Sequence, residues 1–256
     1  LDIKFEHQNS LILFRMGDFY ELFFDDALTA SKVLGLALAK RGKHGENDLQ
    51  MCGVPHHAVE SYLNRLIEDG YNIAICEQLE TPEEAKKRGY KAVVKRDVVR
   101  IITPGTIIEE SILPSHSPNY LISIRRLTQN IAISYLDIST AEFCVTLVEL
   151  ENFAAELSKL SPKEIIISEK DSNDPQLRLS LLNYRAKLVI QVDSYFAVPK
   201  CQKIIERFYN IHSYSAIGAL NDEQISAIGA ILEYVNITQK STLPDLPLPH
   251  IVNSKD

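Results

Sequence analysis

The length of the apolar runs is the first constraint on what this chain can fold into. Leu11-Ile12-Leu13-Phe14-Arg15-Met16 is short, and Gly17 stops it. A run of that length between turn residues reads as a buried strand. From about Tyr20 to Leu34 the period changes. Leu22, Phe23, Ala27, Ala30, Val33 and Leu34 recur at three- and four-residue steps, with Gly35 behind them as a cap, which predicts an amphipathic helix. Asp18 is placed as its N-cap. Residues 36–41 and 49–54 read as a hairpin around a polar loop. A helix over 58–69 follows, then strands at 72–77 and 98–102. Strands alternating with helices predict an α/β fold, a mixed sheet covered by helices.

Residues 108–117 contain Pro114, Ser115 and Ser117 and read as an interdomain linker. Beyond it come three strand-like runs at 120–125, 131–137 and 141–147. Their close spacing predicts an antiparallel meander. Helix and strand then alternate: helix 153–160, strand 164–168, helix 177–182, strand 187–192, and helices over 199–209 and 222–236. Leu243-Pro244-Asp245-Leu246-Pro247-Leu248-Pro249 cannot be helical, because proline removes donors and restricts its neighbours. The expected division is therefore a domain over 1–107, a linker, a second domain over 118–243, and the start of a further, truncated domain at 244–256. The chain opens on Leu1 and is read as an excised piece.

Charge and cysteine content narrow the function. The net charge is −7, and neither half is net basic. Lys86, Lys87, Arg88, Lys91, Lys95, Arg96 and Arg100 nevertheless crowd one stretch, opposed only by Asp97. Such a strip is either a phosphate-binding face or a solvated one. Cys52, Cys76, Cys144 and Cys201 stand singly, without metal or disulfide spacing. A reduced, cytoplasmic setting is expected, with no metal site. His56 and His57 adjoin Glu60 but lack further ligands. No run is long enough for a membrane span, and no membrane partner is expected.

In Met16-Gly17-Asp18-Phe19-Tyr20-Glu21-Leu22-Phe23 the aromatics follow a Gly-Asp turn, where strand is expected to become helix. Read alone, these are core aromatics and a helix-start glutamate. Ala39-Lys40-Arg41-Gly42, Cys52-Gly53-Val54-Pro55-His56-His57-Ala58-Val59, Ala74-Ile75-Cys76-Glu77-Gln78 and Thr103-Pro104-Gly105-Thr106 follow in order. Together this series resembles the MutS family of mismatch sensors. The second half resembles that family's connector domain through Tyr135-Leu136-Asp137-Ile138-Ser139-Thr140 and Ser241-Thr242-Leu243-Pro244.

The resemblance implies a mixed-sheet mismatch-recognition domain followed by a ribonuclease-H-like α/β connector. It implies that Phe19 wedges beside a mispaired or looped base from the minor groove and that Glu21 hydrogen-bonds that base. Arg41, Met16, Met51 and Lys40 fall where the family approaches the DNA backbone or groove. A flat ring that replaces lost stacking contributes about 1–3 kcal/mol. Wedging costs a few kcal/mol in unstacking, and less at a mismatch, where the step is already soft. A carboxylate is repelled by phosphates unless a base offers it a donor, so it penalises intact duplex. Residues two apart point to nearly opposite sides of a helix but share a face in extended chain, so if Phe19 and Glu21 reach one base step, Phe19 lies before or at the first helical turn. By the same resemblance, the whole protein is a dimeric ATPase using ATP and magnesium and recruiting a MutL-type partner. No G-x-x-x-x-G-K-[ST] occurs here, so this piece is expected to have no cofactor and no catalytic activity. Two alternatives stand beside this reading. One is a ribonuclease-H-like magnesium nuclease using Asp137, although a two-metal site needs several converging carboxylates and Asp137 reads as structural. The other is a structural relative that has lost mismatch reading.

Overall fold

The computed structural model describes residues 2–44, 47–90, 92–113, 117–182 and 184–252, with the side chains of 41–48 left aside. The chain divides into two compact units. One runs to Thr103 and includes Thr238–Thr242; the other is Pro104–Ile237 with the residues from Leu243 onward.

The first unit opens on a short helix, α1 (Asp2–Glu6), followed by β1 (Ser10–Met16) and β2 (Phe19–Phe23). Then come α2 (Phe24–Leu34), β3 (Ala39–His44), β4 (Asn47–Pro55), α3 (Val59–Glu68), β5 (Asn72–Gln78), α4 (Pro82–Lys87) and β6 (Arg96–Ile102). The sheet order is β3-β4-β2-β1-β5-β6. β1 pairs antiparallel with β2 and parallel with β5. Ala27, Ala30 and Leu34 of α2 and Leu63, Leu66 and Ile67 of α3 are buried. They cover one sheet face, where the Cys52 thiol donates to the Ala27 carbonyl. On the other face Ile12, Ala74, Cys76, Val98 and Ile101 form a smaller cluster, with Ile3 of α1 and Phe14 packed against it. Asp26 is buried in α2, where it accepts from the Ile12 N–H at 3.1 Å and from Lys4 at 2.8 Å.

The helix expected from Tyr20 begins instead at Phe24. Residues 19–23 are a central strand paired on both sides, with β1 and β4. Leu22 and Phe23 fit a three-to-four period as well as a two-residue one, so pairing decided the matter. Asp18 is therefore not a helix cap; its carbonyl accepts from the His56 N–H at 2.8 Å. Phe24 turns the chain from strand to helix with φ 54°, a region costly for a side chain with a Cβ.

The second unit contains β7 (Leu121–Arg126), β8 (Asn130–Asp137), β9 (Glu142–Glu149), α5 (Leu150–Leu160) and β10 (Glu164–Ser168). It continues with α6 (Glu169–Ser172), α7 (Pro175–Leu181), β11 (Lys187–Gln191), α8 (Val198–Tyr209), α9 (Asp222–Thr238) and β12 (His250–Val252). β7, β8 and β9 are the expected antiparallel meander, and β10 and β11 add in parallel beside β7. Counting within this unit, the first five strands lie in the order third, second, first, fourth, fifth, the ribonuclease-H-like arrangement. Phe153, Leu157, Leu177 and Leu181 of α5 and α7 fill one face of the sheet. Cys201, Ile204, Ile205, Ile228 and Ile231 of α8 and α9 fill the other.

Three features of the division differ from the sequence expectation. Pro104–Ile107 fall in the second unit rather than the first, because the Gly105 N–H donates to the buried Glu164 carboxylate on β10 at 3.0 Å. Thr238–Thr242 belong to the first unit, where the Ser241 N–H donates to the Val99 carbonyl of β6 at 3.0 Å. Residues 244–252, expected to start a further domain, pack with the second unit. Leu246 is buried in the second core, and β12 pairs in parallel with β9.

Gly229 sits where α9 crosses α8. A Cβ there would lie 2.4 Å from Cys201 Cβ. Gly229→Ala is expected to lower unfolding stability by about 1–3 kcal/mol through overpacking, read by urea denaturation. The four cysteines are free and buried. Burial pushes the Cys52 and Cys76 thiols up to about 11 and the Cys201 thiol up to about 12. Thiolate is the reactive form, so at neutral pH a disulfide-exchange reagent should find no fast-reacting thiol until denaturant is added. A rapidly titrating cysteine in the folded protein would contradict this packing.

Candidate nucleic-acid interface

The feature that organises the first sheet's less covered face is the two-residue link Gly17–Asp18. Gly17 has φ 61°, the left-handed conformation that tight hairpins place on glycine. Met16 therefore pairs with Phe19, and Phe14 with Glu21. On its other side β2 sets Phe19 opposite Pro55, Glu21 opposite Gly53 and Phe23 opposite Met51. Directly opposed residues project to the same face. Met16, Phe19, Glu21 and Met51, four of the residues singled out in the sequence, thus share one surface, while Tyr20 and Leu22 point into the helix-covered core.

Phe19 keeps 47% of its surface exposed, an unusual state for phenylalanine on a central strand. Met16 and Met51 are partly buried beside it. Gly53 leaves space next to Glu21: an added Cβ would lie 3.5 Å from Glu21 Cγ and 3.2 Å from the Tyr20 carbonyl. Phe14 and Phe23 meet at 5.7 Å between ring centroids and continue the apolar surface away from the turn. Phe19 lies before the first helical turn, as expected, while Glu21, expected within the helix, shares the extended strand β2 with it.

The remaining candidates are placed differently. Lys40 is exposed and pairs with Gln50. Since Ala39 opposes Met51, Lys40 lies on the opposite sheet face from Phe19. The side chain of Arg41 lies outside the described residues. Sequence reasoning did not single out Arg96 from the basic strip. Its guanidinium reaches the Met16 sulfur at 3.2 Å, which brings a cation to the edge of the Phe19 surface. Only the register of β6 against β5, with Gln78 opposite Arg96, reveals that neighbourhood. Elsewhere in the strip Arg88 is ion-paired with Glu80, and Thr81 and Glu84 form a capping box at α4.

The second unit offers Asp137 as the site the nuclease alternative requires. It is 2% exposed. One carboxylate oxygen accepts from the Asn119 N–H at 2.9 Å; the other accepts from the Ser139 N–H at 2.9 Å and its hydroxyl at 2.6 Å. Glu142 accepts from the Tyr120 hydroxyl at 2.9 Å. Among the described residues, no group of three or more His, Cys, Asp or Glu side chains is placed to hold a metal ion. No described helix is long and apolar enough to cross a membrane.

The chain thus joins a mixed sheet with an exposed aromatic and a nearby carboxylate to a ribonuclease-H-like unit. The model of MutS domain I matches residues 1–111, and that of MutS domain II matches residues 119–251. The chain belongs to the MutS family. It is 56% identical over 254 residues to the DNA mismatch repair protein MutS of Orientia tsutsugamushi (strain Boryong), covering 99% of this chain and 29% of that protein. It is 54% identical over 258 residues to the DNA mismatch repair protein MutS of Rickettsia felis (strain ATCC VR-1525 / URRWXCal2), again 99% of this chain and 29% of the relative. The chain therefore spans less than a third of the length of these curated relatives.

Asp137→Ala would strip the partner from two backbone N–H groups. The expected result is a stability loss of about 2–3 kcal/mol, measured by urea denaturation. The nuclease alternative predicts instead that Asp137→Asn abolishes a magnesium-dependent cleavage of DNA.

Proposed function

We propose that this chain recognises mismatched and small-loop duplex DNA, with Phe19 as the wedge and Glu21 as the base-contacting carboxylate. The observation that carries the reading is the exposed Phe19 ring on β2, two residues from Glu21 and on the same sheet face. A half-exposed phenylalanine loses hydrophobic stabilisation unless something stacks on it. The soft, poorly stacked step at a mismatch is such a partner. Met16 and Met51 supply polarizable surface around the ring, and Arg96 places a positive charge at its margin. The relatives named DNA mismatch repair protein MutS support the same assignment.

The chain acts as a recognition module without catalysis of its own. Its sequence has no phosphate-cradling glycine loop, so the residues here do not fit ATP with magnesium. That chemistry, dimerisation and recruitment of a MutL-type partner belong to the longer protein, in a cytoplasmic setting.

The test is fluorescence anisotropy at low salt, comparing a labelled duplex carrying one unpaired thymine with its fully paired counterpart. The unsubstituted protein should prefer the defect. Phe19→Ala should reduce that preference roughly tenfold, the worth of one base–aromatic stack. Equal binding to both duplexes, unaltered by Phe19→Ala, would leave only charge-driven association and remove the wedge.

A further inference from the structure

We propose that Tyr20 is a positioning residue for the wedge: its hydroxyl, tied to Glu77 on β5, fixes the angle at which β2 presents Phe19 and Glu21. This rests on the mismatch-reading assignment above.

Tyr20 lies between the two contact residues in sequence and points to the opposite face, where it is buried. Its hydroxyl donates to the Glu77 carboxylate. β2 and β5 are not neighbours, since β1 lies between them. The bond therefore runs beneath β1 and spans two strand spacings, roughly 10 Å. A side-chain bond of that reach resists rolling of β2 about its own axis, a motion the ladder hydrogen bonds restrain poorly.

The ring is flanked from both neighbouring strands. The Arg15 guanidinium stands 5.5 Å from its centroid, and the His56 ring, just beyond β4, stands 5.4 Å away. These residues also hold the turn that carries Phe19. Arg15 Nε donates to the Gly17 carbonyl at 2.6 Å, and the His56 N–H donates to the Asp18 carbonyl at 2.8 Å. Gln78, next to Glu77, donates to the Arg15 carbonyl at 3.4 Å. Turn, ring and strut form one connected network behind the wedge. Recognition groups need holding to about 0.5 Å and 10–20°, and the Phe19 ring, half in solvent, has little packing of its own to do this.

A phenylalanine at position 20 would fill the same space, so burial does not explain the hydroxyl. Burial and the Glu77 carboxylate together raise the Tyr20 phenol above its ordinary value, which keeps the proton on the donor.

The experiment is the same anisotropy comparison on the full chain, with Tyr20→Phe, Glu77→Gln, Phe19→Ala and the Phe19→Ala/Tyr20→Phe double variant, and thermal melts alongside. Tyr20→Phe should lower the preference for the unpaired thymine roughly fivefold, about one hydrogen bond's worth, and leave paired-duplex affinity unchanged. It should add nothing in the Phe19→Ala background, because it acts through that ring. Glu77→Gln keeps an acceptor and should keep the preference. Unaltered preference in Tyr20→Phe, with loss in Phe19→Ala, would overturn the positioning role alone. So would an equal fall on both duplexes, an additive double variant, or loss of preference in Glu77→Gln. If Phe19→Ala itself loses nothing, the wedge assignment falls and this inference with it.

Discussion

The pairing of β2 between β1 and β4 is the constraint on which the rest of the first unit depends. A strand has a period of two, so a central strand must bury one set of residues and offer the other. Tyr20 and Leu22 are buried on the helix-covered face. Phe19 and Glu21 are then compelled to the other face. A slip of one residue would exchange the sets, exposing Tyr20 and burying a carboxylate, at a cost of several kcal/mol. Register here is therefore strongly fixed by the helix-covered core, and the face that carries Phe19 and Glu21 inherits that precision.

The two faces have different tasks, and their composition reflects it. The helix-covered side packs small residues, Ala27 and Ala30, close against the strands. The other side keeps Phe14, Met16, Phe19, Phe23 and Met51 partly accessible. Large apolar side chains left accessible on one sheet face mark an interaction surface more often than a folding error. The overall charge of −7 opposes association with a polyanion at long range. Under the proposed reading, binding by this face would depend on local cations such as Arg96 and on stacking.

Much of this arrangement was legible in the sequence. Gly17 ending an apolar run located the turn, and residues 164–168 read as a strand because three consecutive β-branched residues, Ile165, Ile166 and Ile167, lie between polar boundaries. What periodicity could not resolve was β2. Leu22 and Phe23 satisfy a helical repeat with Ala27 and Ala30, and only long-range pairing with residues 51–55 selects the strand. The same limit hid the partners of Arg96 and the orientation of Lys40, which follow from register between strands distant in sequence. β12 was illegible for another reason. Pro244, Pro247 and Pro249 excluded a helix correctly, but an extended segment carries no signal for which sheet it joins until the edge of β9 is known.

The second unit shows how a carboxylate in a nucleic-acid-processing fold can be held by structure alone. In a ribonuclease-H-like sheet an aspartate such as Asp137 stands on a central strand, where a metal-dependent enzyme would need its oxygens turned outward. Here both oxygens are directed at donors of the adjoining backbone, from Asn119 and Ser139. Freeing them for a cation would leave the buried Asn119 N–H unsatisfied, a penalty of about 1–3 kcal/mol, and would break the Ser139 bonds as well. The neighbouring Glu142 is likewise engaged by Tyr120. Asp137 therefore ties the entering chain to the sheet, and a likeness of fold does not by itself supply chemistry.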